Sequence, residues 1–252
     1  MRLFGLIGYP LTHSFSKKYF TEKFQKESIS DAAYELFEIK EAGEVTEVLK
    51  NNPSLCGLNV TIPHKEAVIP YLDEVHDSVK KIKAVNVIKV GEGGKLTGYN
   101  SDFFGFRQSL LNFIPSTSLK ALVLGTGGAA KAVFAALEDL NIDYLIVSRN
   151  KGSKEGKETI SYQDITSEII TSHQLIINTT PLGMYPKVDT CPDIPYECLT
   201  GNHYLFDLVY NPEETLFMKK GAERGARTKH GLEMLYLQAE KAWEIWTDKA
   251  EF

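Results

Sequence analysis

Cysteine is scarce in this chain of 252 residues. Cys56, Cys191 and Cys198 are odd in number and never spaced as CxxC, which argues against a disulfide framework or a thiolate zinc site and fits a reducing cytoplasm. The six histidines show no HxH or HxxxH spacing, so no metal site is expected. Long apolar runs are missing as well. None approaches the roughly 18 to 20 residues needed to span a bilayer. The opening MRLFGLIGYP is broken by Gly5, Gly8 and Pro10, unlike a secretory signal, and the chain reads as soluble, with no membrane partner. Positive charge is not in excess: 28 Lys and Arg stand against 33 Asp and Glu, a formal charge of -5. With no long basic run, nucleic acid is not an expected partner.

What is present is the composition of a soluble globular protein, 43% hydrophobic and 24% charged, at a length that suggests two domains. Short apolar strands alternate with amphipathic helical stretches along the whole chain, the pattern of an α/β fold with largely parallel sheets. Residues 3–8 read as a strand, and Phe15, Tyr19, Phe20 and Phe24 then recur at helical spacing. Strands are expected at 34–39 and 55–62 around a helix near 43–49. A helix start at His64, a helix at 75–82 and a strand at 84–90 follow, before the turn residues GEGG. Beyond a helix carrying Phe106, Leu110 and Leu111, the segment FIPSTSLK (113–120) reads as a crossing to a second unit. That unit is expected to hold strands at 121–124, 144–147, 175–178 and 204–209 and a helix at 129–140. The chain ends on an amphipathic helix at 232–246.

In GTGGAA, Gly125, Gly127 and Ala130 match the G-x-G-x-x-G/A pattern, directly after a strand and opening a helix. Glycine suits a tight turn that lets backbone N–H groups approach a pyrophosphate at the helix N-terminus; the plain alternative is an ordinary glycine-rich βα turn. At the end of the second strand, near Ser148, an NAD enzyme would place an acid for the ribose hydroxyls. Here Arg149 follows instead, with Lys151 and Lys154 nearby, which favours the 2′-phosphate of NADP. The same run, RNKGSK, also has the composition of a solvated loop. Residues 152–161, GSKEGKETIS, look too short and polar for the helix expected between these strands, which implies an abbreviated adenine pocket.

Three segments of the first unit place hydroxyls, amides and one Lys/Asp pair at strand ends and helix starts: GYPLTHSFS (8–16), GLNVTIPHKE (57–66), and AVN (84–86) with GYNSD (98–102). Each has a structural reading of its own. Ser14 and Ser16 suit helix N-caps, Asn59, Thr61 and Asn86 suit local backbone satisfaction, and Lys65 and Asp102 suit a solvated charge and a turn residue. With INTTPLGM (177–184), DLVYNP (207–212) and HGLEMLYLQA (230–239), the set nevertheless resembles the shikimate dehydrogenase family over nearly the whole chain.

The resemblance implies two α/β domains, an N-terminal substrate domain of residues 1–102 plus 231–252 and a C-terminal Rossmann NADP-binding domain of residues 103–230, with a cleft between them. It implies NADPH-dependent reduction of 3-dehydroshikimate to shikimate, on the route to chorismate and the aromatic amino acids. Ser14 and Ser16 would hold the substrate carboxylate; Asn59, Thr61, Asn86, Tyr210 and Gln238 would bind and orient the ring. Lys65 and Asp102 would carry proton transfer, because hydride delivery to a ketone leaves an alkoxide that must gain a proton. A helix dipole and burial oppose a charge on Lys65, while Asp102 favours it.

Gly125, Thr126, Gly127, Gly128, Ala129, Ser148, Arg149, Lys154 and Thr179 would hold the dinucleotide, with Gly231 and Met234 at the nicotinamide end. Tyr210, Gln238 and Met234 have plainer readings as a half-buried aromatic, an exposed helix residue and core packing. His13 and His64 are read as structural. Two departures from the family stand out: Val87 where threonine is common, removing a hydroxyl near the substrate, and Ser148-Arg149-Asn150 for the usual Asn-Arg-Thr. A quinate or dual-specificity dehydrogenase, whether with NADP or NAD, and a non-catalytic NADP-sensing homologue remain as alternatives, and the protein is expected to be a monomer or a homodimer.

Overall fold

The computed structural model describes residues 1–11, 14–154 and 156–250. The chain packs into two compact units, Met1–Asp102 with Gln238–Phe252, and Phe103–Leu237. The reading of His13 lies outside the described residues.

The first unit holds a six-stranded sheet in the order β2-β1-β3-β5-β6-β4. Its strands are β1 (Arg2–Gly8), β2 (Ala32–Glu38), β3 (Leu55–Val60), β4 (Glu74–Val75), β5 (Val87–Val90) and β6 (Leu96–Tyr99). The helices are α1 (Phe15–Lys26), α2 (Val45–Asn51), α3 (His64–Ala67), α4 (Asp77–Ile82) and the opening residues of α5 (Ser101–Leu111). β1 runs parallel to both neighbours and its last five residues are buried, as befits a central strand covered on both faces. The expectation of a largely parallel sheet fails on the other side, where β5 is antiparallel to β3 and to β6. GEGG is too short for a crossover and can only reverse the chain. One face of the sheet packs Phe4, Phe20, Phe24 and Tyr34 with Ala239, Ala242, Trp243 and Trp246 of the last helix, and the other packs Ile7, Val45, Leu58, Val60, Val79 and Ile88.

The second unit follows with β7 (Ala121–Leu124), α6 (Gly128–Asp139), β8 (Tyr144–Ser148), β9 (Gly152–Lys154), β10 (Lys157–Ser161), α7 (Ser167–Ser172), β11 (Leu175–Asn178), β12 (Tyr204–Asp207), α8 (Leu216–Ala222) and β13 (Arg227–His230). α9 (Leu232–Trp246) begins there and ends in the first unit. The seven strands lie in the order β13-β12-β11-β7-β8-β10-β9. With β9 set aside, the six parallel strands have the doubly wound order 3-2-1-4-5-6 of a dinucleotide-binding unit. Between β8 and β10, where such a unit usually carries a helix, the chain steps over and forms β9, antiparallel to β10 on its outer edge. The short polar stretch therefore supplies two antiparallel strands, Gly152–Lys154 and Lys157–Ser161, in place of a helix. No helix among the described residues is long and apolar enough to cross a membrane.

Candidate active site

In the parallel half of the first sheet, β1 and β3 are adjacent, so their carboxyl ends deliver successive loops to one edge, where α/β folds build sites. Ser14 caps α1, its hydroxyl accepting from the Lys17 N–H at 3.2 Å. The capping oxygen keeps its own proton, so the cap does not exclude donation to a carboxylate. Ser16, in the first turn, lies beside the Tyr34 hydroxyl. Thr61 follows β3, its N–H bonded to the Ile7 carbonyl, with a methyl that leaves no room for a Cβ at Gly8.

The amides are built in from behind. Asn59 is 4% exposed; its Oδ1 accepts from the Tyr34 hydroxyl at 2.7 Å and its Nδ2 donates to the Asn86 carbonyl at 3.3 Å. Asn86 donates from Nδ2 to Ser101 Oγ at 2.9 Å and accepts the Ser101 N–H at 2.6 Å. Ser101 Oγ in turn lies 3.4 Å from Gln238 Oε1. Gln238 is buried, against the reading that places it on an exposed helix face. Each Asn Nδ2 carries a second hydrogen beyond its protein bond, available to a ring hydroxyl.

Next to this network Lys65 Nζ donates to Asp102 Oδ2 at 2.7 Å, with the side chains 22% and 16% exposed. Backbone fixes both ends: the Lys65 carbonyl takes the Val85 N–H, and Asp102 follows Ser101, itself held by Asn86. The helix expected to lend Lys65 its dipole is a single turn, His64–Ala67, and its influence is correspondingly small. His64 is buried, with Nε2 2.8 Å from the Ile39 carbonyl, a structural role. Val87 is fully buried with Phe4, Trp243 and the rest of that core, so the hydroxyl it lacks would have met apolar side chains rather than substrate; that expectation is corrected.

In the second unit a cavity of about 560 Å³ is lined by Gly125, Thr126, Gly127, Ser148, Arg149, Tyr162, Thr179, Thr180, Pro181 and Leu182. All but Tyr162, which follows β10, lie at the ends of β7, β8 and β11, which bracket the point where strand order reverses, the place an open doubly wound sheet binds a dinucleotide. Gly125 has φ +112, and a Cβ there would stand 2.6 Å from Thr179 Oγ1. At Gly127 and Gly128 a Cβ would meet no protein atom, so these glycines do not serve packing; they keep the backbone at the start of α6 open to a close-lying anion. Ala129 is exposed in the same first turn. Thr179 is tied to the Leu124 carbonyl by N–H and hydroxyl, both at 2.9 Å.

Arg149 is exposed at the cavity, the Ser148 hydroxyl is bonded to the Asn150 carbonyl, and Lys154 lies half-buried in β9. Lys151 sits 2.7 Å from Asp164, whose carboxyl is held down to about 2 by that ammonium and by Ser161. The residues present therefore fit a dinucleotide with a 2′-phosphate. Gly231 lies against the Leu208 carbonyl, which a Cβ would approach to 2.3 Å; Met234 packs into the core with Phe106 and Phe206; Tyr210 is 39% exposed, its hydroxyl pushed up by burial. Among the described residues no group of three or more His, Cys, Asp or Glu could hold a metal ion.

Two participants have no signal in the sequence, Tyr34, whose partners are remote in the chain, and Tyr162, which follows β10 where that strand pairs with β8; Ser101 lies within GYNSD, but its bond to Asn86 is not legible there. The Tyr162 hydroxyl is buried with no hydrogen-bond partner among the described residues.

A sheet unit that gathers amides and hydroxyls beside a lysine–aspartate pair, in one chain with a doubly wound dinucleotide unit, defines a nicotinamide-dependent oxidoreductase. The family model of the shikimate dehydrogenase substrate binding domain matches residues 6–88. The shikimate dehydrogenase (NADP(+)) of Clostridium beijerinckii is 43% identical, the match covering 98% of this chain and 93% of that protein. A crystal structure of shikimate dehydrogenase in complex with NADP+ matches with a TM-score of 0.86 at 33% identity, covering 98% of this chain and 90% of that one. Shikimate 5-dehydrogenase from Thermus thermophilus, in complex with NADP(H) and shikimate, gives 0.85 at 27% identity over 98% of this chain and 94% of that one. The chain belongs to the shikimate dehydrogenase family.

Proposed function

We propose that this protein is an NADP-dependent shikimate dehydrogenase, reducing the ring ketone of 3-dehydroshikimate to shikimate on the route to the aromatic amino acids. The carrying observation is the 2.7 Å contact between Lys65 and Asp102, held beside the Asn59, Asn86 and Gln238 network, in a chain 43% identical to a shikimate dehydrogenase (NADP(+)). When bound, NADPH supplies the hydride. Lys65 gives a proton to the oxygen that the hydride leaves charged and recovers it from solvent. An ammonium has three donors, so Lys65 can keep one on Asp102 and turn another to the substrate; Asp102 thereby aims the amine.

Ser14 and Ser16 hold the carboxylate. Asn59, Thr61, Asn86, Tyr210 and Gln238 orient the ring, an entropic contribution of the kind that matters when two reactants must meet in one geometry. The dinucleotide is held by Gly125, Thr126, Gly127, Gly128, Ala129 and Thr179, its 2′-phosphate by Ser148, Arg149 and Lys154, and its nicotinamide end by Gly231 and Met234. Three cysteines, all unpaired, agree with a cytoplasmic location.

The test is a steady-state assay at 340 nm with shikimate or quinate against NADP+ or NAD+. Preference for shikimate with NADP+ supports the proposal. Preference for quinate with NAD+ would replace it with the dual-specificity alternative, and a flat trace with every pair would point to a non-catalytic homologue.

A further inference from the structure

Tyr34 is 2% exposed, stacked on Phe20 with ring centroids 4.8 Å apart, and none of the roles above uses it. Its hydroxyl nevertheless joins two groups proposed to touch substrate: it lies beside Ser16 and donates to Asn59 Oδ1 at 2.7 Å. Burial pushes the phenol up, so at neutral pH it carries its proton and is a donor. A donor on Oδ1 favours the observed facing of the amide. Turning Asn59 over would set its oxygen against the Asn86 carbonyl, which can only accept, and would force the phenol proton away so that the phenol oxygen accepts instead; the observed orientation keeps both hydrogen bonds and the turned one keeps at most one.

We propose that Tyr34 is a positioning residue for this reaction: its phenol locks Asn59 so that a free N–H, rather than the carbonyl oxygen, is presented to a ring hydroxyl of the substrate. The inference rests on Asn59 being a substrate-binding residue. Tyr34 sits on β2 and Asn59 on β3, on either side of β1, so the lock exists only when the sheet is assembled in the order β2-β1-β3.

The experiment is a double-mutant cycle with Tyr34→Phe and Asn59→Ala, read as kcat/KM for shikimate with NADP+. Tyr34→Phe keeps the ring stacked on Phe20 and removes only the oxygen. In the otherwise unchanged protein it should raise KM about tenfold, the usual cost of a lost hydrogen bond in a buried network. In the Asn59→Ala background it should add no further loss, because the group it positions is gone. Equal losses in both backgrounds, or none in either, would overturn the inference. An unsubstituted protein inactive with shikimate would instead overturn the functional reading itself.

If Tyr34→Phe does not fold, the unsubstituted protein still answers. The Asn59 side-chain amide protons, assigned by their loss in Asn59→Ala, should show nuclear Overhauser contacts towards Asn86 and none to the Tyr34 ring, and one of them should shift when shikimate is added. Contacts between these protons and the Tyr34 ring would refute the lock.

Discussion

Asn86 and Ser101 hold each other at both ends: the Asn86 amide donates to Ser101 Oγ at 2.9 Å, and the Ser101 N–H donates to Asn86 Oδ1 at 2.6 Å. Ser101 is fully buried and Asn86 is 3% exposed, so neither can turn to water when its partner is removed. Ser101→Ala leaves an Asn86 N–H without its acceptor. We expect it to cost about 1 to 3 kcal/mol of stability, measured by urea unfolding, and to raise KM for shikimate as Asn86 loosens. A variant with wild-type stability and KM would mean that Asn86 finds another acceptor.

Lys65 and Asp102 form a unit, and their removal should show it. Lys65→Ala is expected to lower kcat by about 10²-fold or more, since a positioned acid is lost, while NADPH binding persists. Asp102→Ala should fall in the same direction, because the amine is no longer aimed. The double variant should be about as slow as the slower single variant. Losses that multiply in single-turnover rates would show two independent contributions and reject the pairing.

Tyr162 provides a prediction of opposite sign. Its ring packs against the core containing Val147 and Ile165, yet its hydroxyl is buried and unbonded among the described residues, a net cost in the ligand-free protein. Tyr162→Phe should therefore stabilise the free protein by about 1 kcal/mol, visible as a higher melting temperature. A lower one would show that the hydroxyl has a partner in solution.

Much of this arrangement is legible in the sequence, and the exceptions share a cause. The strands at 121–124 and 175–178 fall where apolar runs meet turn residues, and the last helix spans 232–246 as its periodicity predicts. β4 and β13 are short or polar edge strands, RTKH among them, that follow no apolar pattern because one side lacks a neighbour, and β6, though paired on both sides, is only four residues long. The site behaves the same way. Motifs carry Lys65, Asp102 and Gly125, which sit in conspicuous local patterns. Tyr34 and Ser101 matter through partners brought close only by strand order, and the sequence of β2 reads like any other alternating strand. α9 was legible as an amphipathic helix but not as one serving two cores, Met234 with Phe106 and Ala239 with Phe4 and Phe20.

Asp207 gives the protein a pH dependence whose sign is fixed by its burial. At the end of β12 it is fully buried, its Oδ1 accepting from Asn178 at 2.9 Å and the Val209 N–H at 3.0 Å, and its Oδ2 from Thr215 at 2.6 Å. Loss of hydration outweighs these three donors and raises the carboxyl to about 6. An unfolded aspartate titrates near 3.9, so between these values the native protein holds a proton that the unfolded chain has released. That linkage favours the native state fully below about pH 4 and is lost as pH rises through about 6, on the order of 3 kcal/mol across the interval. Asp207→Asn removes the titration. Its unfolding free energy relative to the parent should climb between pH 4 and pH 7 and then level off, and a difference that stays flat with pH would show that Asp207 does not titrate in this range. The effect should reach the cofactor cavity, because Asn178, which Asp207 holds, accepts both the N–H and the hydroxyl of Thr180 in the cavity wall. NADPH affinity should therefore weaken in Asp207→Ala, which frees Asn178, more than in Asp207→Asn, whose side-chain oxygen can still accept the Asn178 N–H.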